Sequence, residues 1–191
     1  MASAVPWLAD LAAHRGLRYE PDADERWLRM WEPFATLRVP IRYEHSLQST
    51  GSIGSLTLAR LVVSAQDGRE ASSWIAIAQD VRVEAVAAAT CDLGGVFGEP
   101  LHLVTMPRRA TRDPSFDAVF ATFAPAAEDV DRALTPSLRR LVLSWRTPLH
   151  LETRPGGFIV APVALPADPR SLSWFLRAIQ LFGEKAAKRP A

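Results

Sequence analysis

The stretch Arg112-Asp-Pro-Ser-Phe-Asp-Ala-Val-Phe-Ala-Thr-Phe-Ala-Pro125, followed after an acidic segment by Leu134-Thr-Pro-Ser-Leu-Arg-Arg-Leu-Val-Leu-Ser-Trp145, decides how this chain folds. Thr135 is a good helix N-cap, and Pro136 sits at the first helical position, where its missing N–H costs nothing. Behind that start, Leu138, Leu141, Val142 and Trp145 fall at i, i+3, i+4 and i+7, the apolar stripe of a helix. Arg139, Arg140 and Arg146 fall off the stripe, and Arg146 suits the negative end of the helix dipole. Upstream, Asp113-Pro114 marks a turn, and Phe116, Phe120 and Phe123 supply large apolar groups. Turn, Phe-rich segment and capped helix arrive together, and the core is expected to assemble around them.

Downstream, Leu149 to Thr153 and Phe158 to Val163 flank Arg154-Pro-Gly-Gly157, a strong hairpin signal. Asp168 then caps a last helix from about Pro169 to Ala187, with Gly183 inside it. Upstream of the deciding stretch the chain is richer in strands. Ser3 is expected to cap a first helix that has Pro6 in its first turn and Gly16 as a left-handed stop. Leu17 to Glu20 reads as extended, while Glu20 to Glu32, with Trp27 and Trp31, fits helix or loop equally. Alternation from Ala35 to Tyr43 predicts a strand with one wet face, and Pro40 places it at an edge or beside a bulge. Ser46 to Ser55 is polar and glycine-bearing, a hairpin loop by composition. Leu56 to Val63 is a second strand and Gln66-Asp67-Gly68 a turn. Ser73 to Ala78 is a third strand, apolar on both faces and so central. Val81 and Val83 continue a strand with Arg82 and Glu84 outward, Asp92 to Gly98 is a glycine-rich loop, and Leu101 to Met106 is another strand. Strands in a run, with helices at the two ends and in the C-terminal half, predict an α+β fold. Its sheet is mainly antiparallel, with an N-terminal helix and C-terminal helices packed on it.

A chain of 191 residues fits one domain, here a strand-rich part 17–106, a helix–hairpin–helix part 107–187 and a tail 188–191. Such a domain buries roughly 70% of its unfolded-chain surface and needs no disulfide or metal. The single cysteine, Cys91, has no internal partner, which agrees with a reducing compartment. A net charge of +1, with acids and bases mixed, gives no general case for nucleic acid. No apolar run is long enough for a membrane span, and the N-terminus lacks the pattern of a signal peptide. The expectation is a cytoplasmic protein.

The order of features resembles an uncharacterised bacterial domain family. Its members have a strand-rich half, a turn followed by Phe-Asp-x-x-Phe, Leu-Thr-Pro opening a helix, then a hairpin and a last helix. The matching residues are Phe116, Asp117 and Phe120, then Leu134, Thr135 and Pro136. The first half matches only in general character, through Gly16 to Glu20 and the Gly51 to Gly54 hairpin. Many members carry transmembrane helices before the domain, and this chain departs from them by showing none. The shared residues pack and cap, so the resemblance implies a fold and no catalytic residue.

Candidate chemistry is sparse. Gly51-Ser-Ile-Gly-Ser55 lacks the spacing of a nucleophile elbow, and Gly94-Gly-Val-Phe-Gly98 lacks that of a phosphate loop. His14, His45, His102 and His150 have no ligand spacing to one another or to Cys91, so no metal or cofactor is expected. His102 and His150 are read as sheet-surface residues that would need to meet Cys91 or Asp92 in space to do chemistry. Asp113 reads as a turn residue, Asp117 as a solvated or backbone-bonded acid, and Glu128, Asp129 and Asp131 as acids favoured by a helix N-terminus. Arg108, Arg109 and Arg112 form the one compact basic cluster in mid-chain. That cluster is a candidate anion site, or else a solvated connector.

The last helix carries more apolar surface than one core face needs. Leu172, Phe175, Leu176, Ile179 and Phe182 make the inner stripe, while Trp174 and Leu181, with Ala178 between them, lie on another side. That second strip either packs under Trp27 and Trp31 or faces a partner. The sequence therefore reads as a non-catalytic interaction or scaffold module, self-associating or binding another protein. The alternative is an enzyme or binding protein for a phosphorylated or anionic small molecule near Arg108, Arg109 and Arg112.

Overall fold

A computed structural model describes residues 3–31, 40–51, 54–64, 68–91 and 106–187. In chain order the elements are α1 (Pro6–Arg15), β1 (Arg18–Asp22), α2 (Glu25–Met30), β2 (Arg42–Gly51), β3 (Gly54–Ser64), β4 (Glu70–Gln79), β5 (Ala87–Thr90), α3 (Pro114–Asp117), β6 (Ala121–Phe123), α4 (Ala127–Ala133), α5 (Pro136–Ser144), β7 (Leu149–Arg154), β8 (Gly157–Pro162) and α6 (Pro169–Ala186). The strands form an eight-stranded sheet in the order β1-β2-β3-β4-β8-β7-β5-β6. Every pairing in it is antiparallel. The fold is α+β, as the sequence pattern predicts.

The C-terminal half follows its sequence signals closely. Thr135 accepts the Leu138 N–H and starts α5. Asp113 accepts the Phe116 N–H and starts α3, turning Phe116 and Phe120 into a stacked pair with ring centroids 4.7 Å apart. The β7–β8 hairpin turns at Pro155-Gly156, with Gly156 at φ +84°. Its strand β8 pairs with β4, which is buried from Trp74 to Ala78 as a central strand should be. Gly157 begins β8 where a Cβ would lie 2.2 Å from the Ala78 carbonyl oxygen and 3.1 Å from the Trp31 ring, so only glycine lets these strands meet.

The two faces of the sheet are covered differently. Phe158 lies 4.7 Å from Phe182 between ring centroids, which sets α6 on the face carrying Phe158. Helices α1 and α5 pack against α6. Residues one step away in register turn to the other face. There Trp31, at the end of α2, lies over Arg154 with 5.8 Å from the guanidinium carbon to the ring centroid. Arg29 of α2 lies in the same way over Tyr43.

Several expectations need correction. Ser3 does not cap α1: its N-cap is Val5, whose N–H donates to the Tyr19 hydroxyl at 3.0 Å, so a tertiary contact replaces a local cap. Gly16 is the left-handed stop that was expected, at φ +64°. Glu20 to Glu32 divides between the end of β1 and the short helix α2, capped by Asp24. Within Ser46 to Ser55, expected as a loop, the described residues 46–51 and 54–55 are all strand, because β2 and β3 stay paired as far as Gly51 and Gly54. The polar composition there reflects a wet face and a bulge between Glu44 and Leu47, with His45 at φ +51°. Of the strand expected over Ala35 to Tyr43, residues 35–39 lie outside the described residues, and the ladder begins at Arg42.

Val81 and Val83 are buried and Arg82 and Glu84 exposed as alternation predicts, but they form no strand. The segment is held instead by Val81 N–H donating to the Gly156 carbonyl and Gly156 N–H donating to the Val83 carbonyl. Ala87 to Thr90, unread in the sequence because alanine favours no strand, is β5 between β7 and β6. The Asp92 to Gly98 loop, His102 and all but the end of the Leu101 to Met106 strand lie outside the described residues. Arg139 is the largest departure in the deciding stretch. It is only 5% exposed. Its guanidinium donates to the Leu134 carbonyl at 2.8 Å and to Asp131 at 3.2 Å, with Asp113 3.7 Å away, joining α3, α4 and α5.

Candidate interaction surface

Helix α6 is built to have two apolar sides. Asp168 accepts the N–H groups of Arg170 and Ser171 and the Ser171 hydroxyl at 2.7 Å. These bonds, the hydroxyl first, hold its carboxyl below the usual carboxylate range. With Pro169 next, the helix starts in a fixed register. Leu172, Phe175, Leu176, Ile179 and Phe182 then fall inward and are buried. Ala178 is also buried, whereas Trp174 is 37% and Leu181 42% exposed.

Trp31 lies on the opposite face of the sheet, against Gly157 and Arg154, so it does not cover the strip. The residue that meets Trp174 is Trp145, at the end of α5, edge-on with ring centroids 6.4 Å apart. Trp145 also lies 6.2 Å from Phe182, so one ring links the core to the surface tryptophan and fixes its position. Around these rings is an open groove of about 770 Å³ floored by Trp145, Trp174, Ala178 and Leu181. Arg15, Arg170 and Arg177 line it, and all three are exposed. None of these arginines makes an ion pair or side-chain hydrogen bond among the described residues. Among the described residues Glu184 is the one acid that lines the groove. The surface is therefore a rigid aromatic floor with a basic rim.

The mid-chain arginines are arranged otherwise. Arg109 donates to the Pro125 carbonyl at 3.2 Å, and its N–H donates to the Thr122 carbonyl, which ties it along β6. Arg108 and Arg112 are exposed, and Arg112 stands at φ +58°. They stand apart from the groove on α6. Asp117 accepts the N–H and hydroxyl of Thr111, as a backbone-bonding acid should.

The unforeseen polar feature is on β7. His150, expected on a sheet surface, is fully buried. Its Nε2 lies 2.7 Å from Glu152 Oε1, and Glu152 Oε2 accepts from Arg154 at 3.0 Å. The residue spacing of two puts all three on one face of the strand. His150 Nδ1 has no hydrogen-bond partner among the described residues. Because His150 and Glu152 are both fully covered, the row is a buried polar network and presents no face to a substrate. Its sequence signal was the alternation His-x-Glu-x-Arg, which reads as outward-facing by the ordinary rule. Cys91 is close in the ladder, but its thiol bonds the backbone of Leu149 and does not pair with His150.

His45 belongs to a second network. Tyr19 hydroxyl accepts from Val5 N–H and lies 3.1 Å from His45 Nδ1. Burial holds the imidazole pKa below its ordinary value, against the pull of nearby Glu44. Arg42 meanwhile bridges Glu44 and both oxygens of Glu70, which closes that corner as a surface ion network. Among the described residues no group of three His, Cys, Asp or Glu side chains is placed to hold a metal ion, and no helix is long and apolar enough to cross a membrane.

No protein-family model matches the chain, and no curated protein matches it by sequence. A solved structure shares its fold. The crystal structure of the mycobacterial trehalose monomycolate transport factor A, TtfA, superposes with a TM-score of 0.62 over 96% of this chain and 95% of its own, at 13% identity. The whole path of the chain, from α1 to α6, thus corresponds to an architecture already seen in a crystal.

Proposed function

We propose that this protein acts by binding another protein through the Trp174 groove, without catalysis of its own. The observation that carries this reading is the apolar floor at Trp174 and Leu181, exposed on a helix whose core face is already filled. Tryptophan and arginine dominate binding energy at interfaces, and a ring fixed in advance by Trp145 loses little freedom on association. The rim argues for the kind of partner. Three arginines facing one glutamate would repel the same rim on a second copy, whereas acidic groups flanking an apolar anchor would match it. The partner segment is therefore acidic and amphipathic. The structural neighbour is a transport factor, which accords with a role played through other molecules.

The test uses a helical peptide with a leucine stripe flanked by glutamates, titrated into the protein while heat of binding is measured. The parent is expected to bind, and Arg170→Glu/Arg177→Glu to weaken binding tenfold or more while melting like the parent. Equal affinity of the parent for a peptide with lysines in place of the glutamates would overturn the reading. So would a dimer by light scattering that the arginine reversals leave intact.

A further inference from the structure

A second concavity, with no lining residue in common with the groove, lies where the end of α5 meets the start of β7 and the α3–β6 corner. It measures about 310 Å³, at the small end of the range that ligand sites occupy. Val119, Phe120, Val142 and Leu143 give it apolar walls, and Cys91 lines it as well. Phe120 and Val142 are buried, while Val119 is 51% exposed and stands at the mouth. Among the described residues one charged residue lines it, Arg146. Arg146 is exposed and makes no ion pair or side-chain hydrogen bond among the described residues. Its backbone is held at φ +51°, in the left-handed region that a long side chain enters only when its surroundings impose it. The N–H of Arg146 donates to the Leu143 carbonyl, so the same turn that ends α5 fixes the arginine at the cavity.

An apolar cavity with a single cation among its described lining residues is complementary to a molecule with an apolar body and one anionic end. The space is small, and the thiol in its wall bonds the N–H and carbonyl of Leu149. We propose that this cavity binds a medium-chain fatty acid, its chain between Phe120 and Leu143 and its carboxylate paired with Arg146. An arginine fork matches a carboxylate in shape as well as charge.

Sodium octanoate is the probe, with 1-octanol as its uncharged counterpart, and binding is read by calorimetry. Octanoate should bind the parent protein at least tenfold more tightly than octanol. Arg146→Gln should remove that difference. Val119→Trp, an exposed position at the mouth, should block both ligands without lowering the melting temperature. Because Cys91 is the chain's one cysteine, the rate of its reaction with N-ethylmaleimide reports on this cavity alone, and octanoate should slow it several-fold. The proposal is overturned if octanoate gives no saturable heat, if octanol binds as tightly, or if Arg146→Gln binds octanoate like the parent. Binding that survives Val119→Trp and leaves the thiol rate unchanged would put the ligand elsewhere and overturn it too.

Discussion

Helices α5 and α6 begin alike and are used differently. Each opens with a capping side chain, Thr135 or Asp168, followed by a proline at the first helical position. Each lays an apolar stripe on the interior. Beyond that, α5 draws even a charged residue inward, because Arg139 finds the Leu134 carbonyl and Asp131 within reach. Helix α6 does the reverse and leaves two of its largest apolar residues outside, over a groove rimmed by cations. The comparison shows that a cap and a stripe fix where a helix starts and which side it buries. Its other side is set by what the neighbouring elements offer, a carbonyl and a carboxylate in one case and open solvent in the other.

The comparison breaks if the inner faces are not what hold the helices. Phe182→Ala, in a fully buried position against Phe158, should destabilise by about 3–5 kcal/mol, and Leu138→Ala on α5 by about 2–5 kcal/mol. A urea midpoint near that of the parent for either variant would remove that helix from the core. Arg139→Ala comes next. It leaves the Leu134 carbonyl and Asp131 without their donor and should cost about 1.5–3 kcal/mol, less than a core truncation because Asp131 is itself half exposed. A neutral result would make Arg139 incidental to the joining of α3, α4 and α5. Thr135→Ala removes a cap and should cost about 1 kcal/mol in the same urea titration.

The smallest effect is one of pH; its sign is the same for His45 and Asp168, and the pH window separates them. Burial depresses the folded pKa of His45 below its ordinary 6.5, so the unfolded chain takes up the proton first. Stability is full above about 6.5 and declines as pH falls below it towards the folded value. Asp168 is likewise depressed, by hydrogen bonds at the α6 start. Its contribution holds above the ordinary 3.8 and is lost as pH falls through the lower folded value. His45→Gln should flatten the urea midpoint in the first window only, and Asp168→Asn in the second only. A His45→Gln profile that still falls just below pH 6.5 would assign that slope to another group.

Much of this fold was legible before any coordinate. Prolines, capping side chains and glycines announced α5, α6, the β7–β8 hairpin and the Gly16 stop, because these signals act over a few residues and carry their own geometry. Strands whose identity depends on their neighbours were not announced. β5 is four residues of Ala-Ala-Ala-Thr, and only its place between β7 and β6 makes it a strand. The polar end of β2 looked like a loop for the same reason. Of the candidate site, Trp174 and Leu181 were legible as surplus hydrophobicity on one helix. Trp145, read as a core residue of α5, could be joined to them only once α5 and α6 were packed. His150, read as a sheet-surface residue, is buried with Glu152 instead, since period-two alternation marks two faces and does not say that both are covered.

The central claim is that α6 has a structural face and a separate binding face, and one variant tests it most directly. Trp174→Glu places a charge where the account puts solvent and an arginine rim, so the protein should stay folded and lose no more than about 1.5 kcal/mol, the worth of the ring pair with Trp145. The same variant should lose at least tenfold in affinity for the acidic amphipathic peptide, about 1.4 kcal/mol or more. A protein that unfolds on this substitution would show Trp174 to be part of the core. One that stays folded and binds the peptide as the parent does would show that the groove is not the binding face.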